Sequence, residues 1–239
     1  MKWRACLLKL NKIYNIDAIK GLKQLEVNSI DLLFTDPPYK LTGGGRKGTL
    51  LTKDAKYSAF TKYRGVEVFK EPTPKFSNWI PLLYPIMKDG SYIFIMTNDR
   101  NLQEIWSECE KAGFLFCELL VMNKPNGVPS SYFFKSCEFI LMFRKGKYKK
   151  FEKFGHKTVF DVVMPKGKNK IHPTQKPFKE LIEPILEACS KEGDLVLDPF
   201  MGSGSTAIAC INMKRNYIGF EIDNTYYNSA NKKINTYLN

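Results

Sequence analysis

Residues 34–40 read Phe-Thr-Asp-Pro-Pro-Tyr-Lys, placing an acid, two prolines and an aromatic ring directly after the apolar run of residues 30–34. The run reads as a short buried strand, which a prolyl pair cannot continue. An ordinary turn would use Asn, Gly or Ser. Asp36, Pro37, Pro38 and Tyr39 thus form a rigid corner presenting a carboxylate and a ring, which an ordinary turn does not explain.

A second constellation lies 162 positions further on, in the stretch DLVLDPFMGSGST of residues 194–206. It reads as a buried strand, a turn containing Gly202 and Gly204, and the start of a helix. Glycines let backbone approach a ligand closely, and the helix N-terminus favours a negative group. Glu221 ends the next strand, NYIGFE, seventeen positions after Gly204. An acid there is placed to accept from ribose hydroxyls, as in nucleoside-binding doubly wound sheets. The third glycine of the dinucleotide fingerprint is missing and no G-K-[ST] follows, which disfavours NAD and excludes a P-loop. The bland alternative is a structural turn beside a satisfied surface acid; the composite pattern outweighs it.

The elements that must hold these motifs alternate between strand and helix. Strands are expected at residues 12–15, 30–34, 91–98, 114–122, 138–144, 194–200 and 216–222. Helices are expected at 17–25, 75–87, 102–112, 177–189, 205–213 and 225–238, with Gly90 as the stop of the second. This is an α/β, doubly wound, mostly parallel sheet. Residues 41–75, rich in Gly, Lys and Thr, read as a flexible loop, and 145–170 as a basic irregular segment within one domain spanning 1–239.

Hydrophobic content of 44% over 239 residues is that of a folded domain. No apolar run approaches the roughly 20 residues of a membrane span, and the patch at residues 5–8 is too short for a signal peptide, so a cytoplasmic protein without a membrane partner is expected. The six cysteines form no C-x-x-C pair, and with two histidines no metal site is expected. The net charge of +13 points to a polyanionic partner. Lys147, Lys149 and Lys150, interleaved with Tyr148, Phe151 and Phe154, suit nucleic acid, as do the basic residues of 46–70; alternatively the rings cover core and the lysines face water.

TDPPY, then HPTQKP at residues 172–177, then DPFMGSGST resemble, in that order, the β-class DNA amino-methyltransferases. The resemblance runs nearly end to end. It implies a seven-stranded class I methyltransferase sheet with circularly permuted motifs, S-adenosylmethionine as cofactor, and double-stranded DNA as substrate. It implies further that the Asp36 carboxylate and the Pro37 carbonyl accept from an exocyclic amine, with Tyr39 stacked on a base flipped from the duplex. Asp198, Phe200, Gly202, Gly204 and Thr206 would line the cofactor, with Glu221 on its ribose. Thr174, Gln175 and Lys176 would receive its carboxylate, and His172 would fix that loop. Asp17 is either an acid near the cofactor's adenine or the N-cap of the first helix. Lys124 is either near the base pocket, on the DNA backbone, or structural. Lys40, where many relatives carry Asn, joins Arg46 and Lys47 on the DNA side. The target-recognition segment, 145–170, is short.

The resemblance leads to a site-specific adenine-N6 enzyme, a monomer or homodimer, with a restriction endonuclease as a further partner. Cytosine N4 is the runner-up. No cysteine follows a proline, which disfavours 5-methylcytosine chemistry. A DNA-binding module without activity and a methylase of RNA or protein glutamine are the other readings.

Overall fold

The structure of the chain, a computed structural model, describes residues 8–38, 74–128, 133–162 and 178–238, with residues 125–128 and 178 described for the backbone alone. The chain divides into two compact units, Met1–Pro37 with Lys75–Asn239, and Pro38–Pro74. The loop expected over 41–75 lies almost wholly outside the described residues.

The larger unit is built on β1 (Lys12–Tyr14), α1 (Ala18–Leu22), β2 (Ile30–Thr35), α2 (Phe76–Ile86), β3 (Met87–Thr97), α3 (Leu102–Lys111), β4 (Leu115–Val128) and β5 (Lys135–Arg144). β6 (Val159–Asp161), α4 (Glu183–Cys189), β7 (Leu195–Asp198), α5 (Ser205–Asn212), β8 (Asn216–Phe220) and α6 (Asn224–Leu238) complete it, with a π-helical turn, Phe178–Ile182, leading into α4. The strands form one sheet in the order β1-β8-β7-β2-β3-β5-β4-β6. Every pairing is parallel except those of β5, which runs against both β3 and β4.

The apolar runs of β2 and β3 are buried throughout because both faces of the sheet are covered. Leu32, Phe34, Phe94, Ile140 and Val196 pack with Leu186 and Ile208 of α4 and α5. The intervening Leu33, Ile93, Ile95 and Phe143 are equally buried and take the other face, where α2 and α3 adjoin β3, β4 and β5.

Among the described residues eight strands stand where seven were expected. The additional one is β6, which pairs Val121–Asn123 of β4 from within the segment read as irregular. Gly90 does not stop α2: the helix ends at Ile86, because Met87 already pairs with Ile30. Gly90 instead lies inside β3 at φ +76°, its N–H donated to the Lys145 carbonyl.

β7 and β2 are neighbours, and the chain winds away from them in opposite directions, through α5 to β8 and through α2 to β3. That is the switch point of a doubly wound sheet, the crevice where ligands bind beyond the carboxyl ends of the strands.

Candidate active site

Both sequence constellations end at this switch point. β2 and β7 run in register through Leu32↔Val196 and Leu33↔Leu197, so Asp36 and Asp198 leave the same edge of the sheet. A side-chain hydrogen bond ties the two ends: Thr35 Oγ1 donates to Asp198 Oδ1 at 2.8 Å. Asp36 is half-buried and Pro37 is buried.

Asp198 organises the turn from inside. Its carboxylate accepts from Thr35, from Thr206 Oγ1 at 2.6 Å and from the Phe200 N–H at 3.1 Å. It is 3% exposed, and burial pushes its pKa up to about 6. The three donors oppose that rise, and the charge of Asp36 adds to it, which places the two acids in one electrostatic neighbourhood. Asp198 and Thr206, expected to line a cofactor, face each other in the interior beneath the turn.

Gly202 and Gly204 take φ of +52° and +76°, the left-handed region, and Gly204 caps α5. The turn folds back on β8, with the Met201 N–H donated to the Phe220 carbonyl at 2.8 Å. That return needs Gly219, where a Cβ would lie 2.2 Å from Met201 Cε and 3.1 Å from Cγ. The turn is a cradle only while position 219 is bare. We expect Gly219→Ala to displace Met201 and to cost roughly 1–3 kcal/mol of stability. Urea unfolding measures that cost, and a change under about 0.5 kcal/mol would put the glycine's role elsewhere.

Glu221 follows β8, half-buried, with Oε2 accepting from the Gly202 N–H and Oε1 from the Asp223 N–H, both at 2.8 Å. Burial raises its pKa, and the backbone donors oppose the rise. Each oxygen of a carboxylate has a second lone pair, so the side chain can brace the turn and still accept from a hydroxyl. Asn15 Nδ2 donates to the carbonyls of Glu221 and Ile222, drawing the segment after β1 to the same rim. Asp17 stands on that segment as the N-cap of α1, its Oδ1 accepting from the Lys20 N–H at 3.0 Å. Phe200 is half-buried and meets Trp79 of α2 edge-on, with centroids 5.1 Å apart.

Other expected residues stand elsewhere. Lys124 pairs with Glu138 across β4 and β5, beyond the level of Thr97 at the carboxyl edge of the sheet. Lys147, Lys149 and Lys150, expected on the DNA side, stand at the opposite edge of the sheet. β5 runs antiparallel, so Arg144 ends it opposite Tyr92, and the chain continues toward the amino end of β3. Lys149 then lies against Gly90 and accepts at its carbonyl from the Tyr92 hydroxyl. Gly90 and Thr97 are seven residues apart along β3, about 23 Å at strand rise. Phe151 packs on Tyr92, as the core-covering alternative has it, while Tyr148 and Phe154 are exposed. A cavity of about 480 Å³ is lined by Tyr92, Phe94, Leu120, Met142, Phe151 and Cys189.

Tyr39, Lys40, Arg46, Lys47, His172, Thr174, Gln175 and Lys176 lie outside the described residues. Thr35, Asn15 and Gly219 were not singled out from the sequence. A glycine in a strand interior is the signal for Gly219, because it marks close approach by another segment.

The cradle fits an S-adenosyl nucleoside: glycine backbone at the mouth of a helix, a carboxylate at the end of the next strand, and a second acid on the adjoining rim. The chain resembles known proteins along this whole region. The sequence model of the DNA methylase family matches residues 30–232. Type II methyltransferase M2.DpnII of Streptococcus pneumoniae is 29% identical, over 91% of this chain and 87% of its own. Type II methyltransferase M2.MboI of Moraxella bovis is 32% identical, over 87% and 82%. The crystal structure of the M1.HpyAVI–SAM complex superposes with a TM-score of 0.69, at 28% identity, over 94% of this chain and 98% of that one.

Proposed function

This chain belongs to the DNA methylase family, and from that membership we infer that it transfers a methyl group from S-adenosylmethionine to adenine N6 in duplex DNA. The observation that carries the reading is the Thr35–Asp198 hydrogen bond, which makes the acid–proline corner and the glycine turn two sides of one crevice.

When bound, S-adenosylmethionine supplies an electrophilic methyl group on a sulfonium centre. Gly202 and Gly204 would hold it through the turn, Glu221 through its ribose hydroxyls, and Asp17 on the adenine side. The substrate amine is a poor nucleophile because its lone pair is delocalised into the ring. Asp36 and the Pro37 carbonyl are two acceptors fixed on a strand end, and by accepting the amine's N–H hydrogens they turn its lone pair outward. The corner is rigid before substrate arrives, so orientation costs little at the moment of reaction. The base leaves the duplex at a cost of a few kcal/mol, and stacking on Tyr39 returns about 1–3 kcal/mol of it.

Charge supports a duplex partner. Residues 39–73, which follow the corner in the chain, carry eight Lys and Arg against three Asp and Glu. Residues 163–177, which follow β6, carry four against none. Together they hold nine of the thirteen excess positive charges. Alanine at Lys147, Lys149 and Lys150 together is expected to leave the salt dependence of DNA binding unchanged. Alanine at Lys40, Arg46 and Lys47 should reduce the log–log slope by roughly 2–3. Fluorescence titrations at several salt concentrations compare the two, and a reduced slope in the first variant would return the duplex to that edge.

Asp at position 36 favours adenine over cytosine N4, the other amino target in the family. Digesting DNA methylated by the purified protein to nucleosides decides between them: N6-methyladenine is expected, and N4-methylcytosine alone would overturn the assignment. The Type II designation of the relatives favours a cognate restriction endonuclease and a cytoplasmic setting for this chain.

A further inference from the structure

The cavity of about 480 Å³ has no part in the chemistry derived above. Protein interiors leave few voids larger than a water molecule, and an apolar one of about 150 Å³ already takes up benzene. Its wall includes the buried Phe94 and Met142 of the sheet and Ile185 and Ala188 of α4, and its rim the exposed Tyr148 and Lys157. We propose that this cavity is a second small-molecule site, taking an amphiphilic anion: an aromatic or acyl body with one carboxylate-like group.

The ordinary fate of such a void is collapse, and the strap of residues 145–158 that forms its third side is pinned against it. Tyr92 donates its hydroxyl to the Lys149 carbonyl, and the Glu152 N–H donates to the Ala188 carbonyl at 2.8 Å. Lys153 pairs with Glu187 at 2.7 Å. The strap is thus tied both to β3 and to α4, which fixes its height above the sheet. A volume of this size, walled by apolar side chains with a few polar groups at the mouth, is that of a ligand pocket.

Charge selects the occupant. Residues 144–158 carry seven Lys and Arg against one Glu. Arg144, His156 and Lys157 line the cavity, against Glu118, whose Oε1 accepts from the Leu119 N–H at 3.2 Å. Lys153 and His156 are taken up by Glu187, whereas Lys157 makes no ion pair among the described residues. An ammonium left free beside an apolar cavity favours an anion over a neutral or cationic ligand of the same body. On β3 the wall consists of Tyr92 and Phe94, level with Leu32 and Phe34 of β2. Met96 and Ile140, the next pair toward the edge that carries Asp36, are wholly buried. The wall on β3 therefore ends before the level of Asp36, which follows the Thr35↔Ile95 pair.

The full chain is titrated under native conditions with anilinonaphthalene sulfonate, an aromatic anion, and with phenylnaphthylamine, the same body without the charge. A single saturable sulfonate site per chain is expected. Lys157→Glu should weaken the sulfonate roughly tenfold and leave phenylnaphthylamine within about twofold. Ala188→Phe, which places a ring in the cavity, should abolish binding of both. Saturating S-adenosylhomocysteine should leave the sulfonate affinity unchanged. Absence of a saturable site in wild type overturns the proposal, as does wild-type sulfonate affinity in either variant. Displacement by S-adenosylhomocysteine also overturns it, by putting the anion in the crevice. Lys157 is exposed, so its variant decides the matter even where Ala188→Phe does not fold. The site does not rest on the DNA-methylase reading: a chain that bound the sulfonate at Lys157 and methylated no DNA would overturn that reading and leave this one standing.

Discussion

Alanine at position 36 is expected to slow methyl transfer by roughly 10³-fold, the scale on which removing one fixed acceptor or proton partner acts. The affinity for S-adenosylmethionine should stay within about threefold, because a uniform-binding loss and a transition-state loss separate in kinetics. The asymmetry follows from where the residue stands. Asp36 leaves the end of β2, while the groups assigned to the cofactor come from the turn after β7 and the ends of β8 and β1. The amine's orientation depends directly on the Asp36 carboxylate, whereas the cofactor turn feels it only through the charge it places near Asp198. Asparagine at 36 keeps one acceptor oxygen and should fall between wild type and alanine. Single-turnover transfer of labelled methyl, with cofactor titration by calorimetry, measures both quantities. Turnover within about tenfold of wild type would remove Asp36 from the chemistry.

The reacting corner and the cofactor turn were legible because each carries backbone chemistry that few other purposes require: prolines after a buried strand, and glycines between strand and helix. Every strand with a long apolar run was legible for the same reason. β6 was not, since its three residues sit within a basic stretch whose composition reads as irregular. The location of the lysines at 147–150 was misleading in an instructive way. Their composition suits a polyanion, but which edge of a sheet a segment reaches depends on strand direction. The reversal at β5 comes from pairing with β3 and β4, not from its own residues. Thr35 escaped notice because a hydroxyl next to the catalytic-type acid gains its meaning only from Asp198, 163 positions away.

Asp198→Ala should lower both stability and turnover. The substitution orphans the Thr35 and Thr206 hydroxyls and the Phe200 N–H, at about 1–3 kcal/mol for each donor left without a partner. It also relieves a charge whose burial raises the pKa from 3.8 to about 6, a cost of roughly 3 kcal/mol at neutral pH. The relieved charge offsets only part of the roughly 3–9 kcal/mol lost with three donors, so the variant should be less stable than wild type at pH 7 as its turn loses its anchor. Turnover should fall by about 10²-fold, as displacement of positioning groups by about 1 Å does. Asparagine isolates the charge. In the native state Asp198 holds its proton up to about pH 6, while in the unfolded chain it releases it near 3.8. The stability of wild type relative to Asp198→Asn is therefore fully present below pH 4. It should decline by about 1.4 kcal/mol per pH unit between 4 and 6, then level off. Urea unfolding of both proteins across that range measures the difference. A constant difference would mean that Asp198 is ionised at little cost, with the three donors outweighing burial, and the alanine variant would then unfold far more readily than the offset allows.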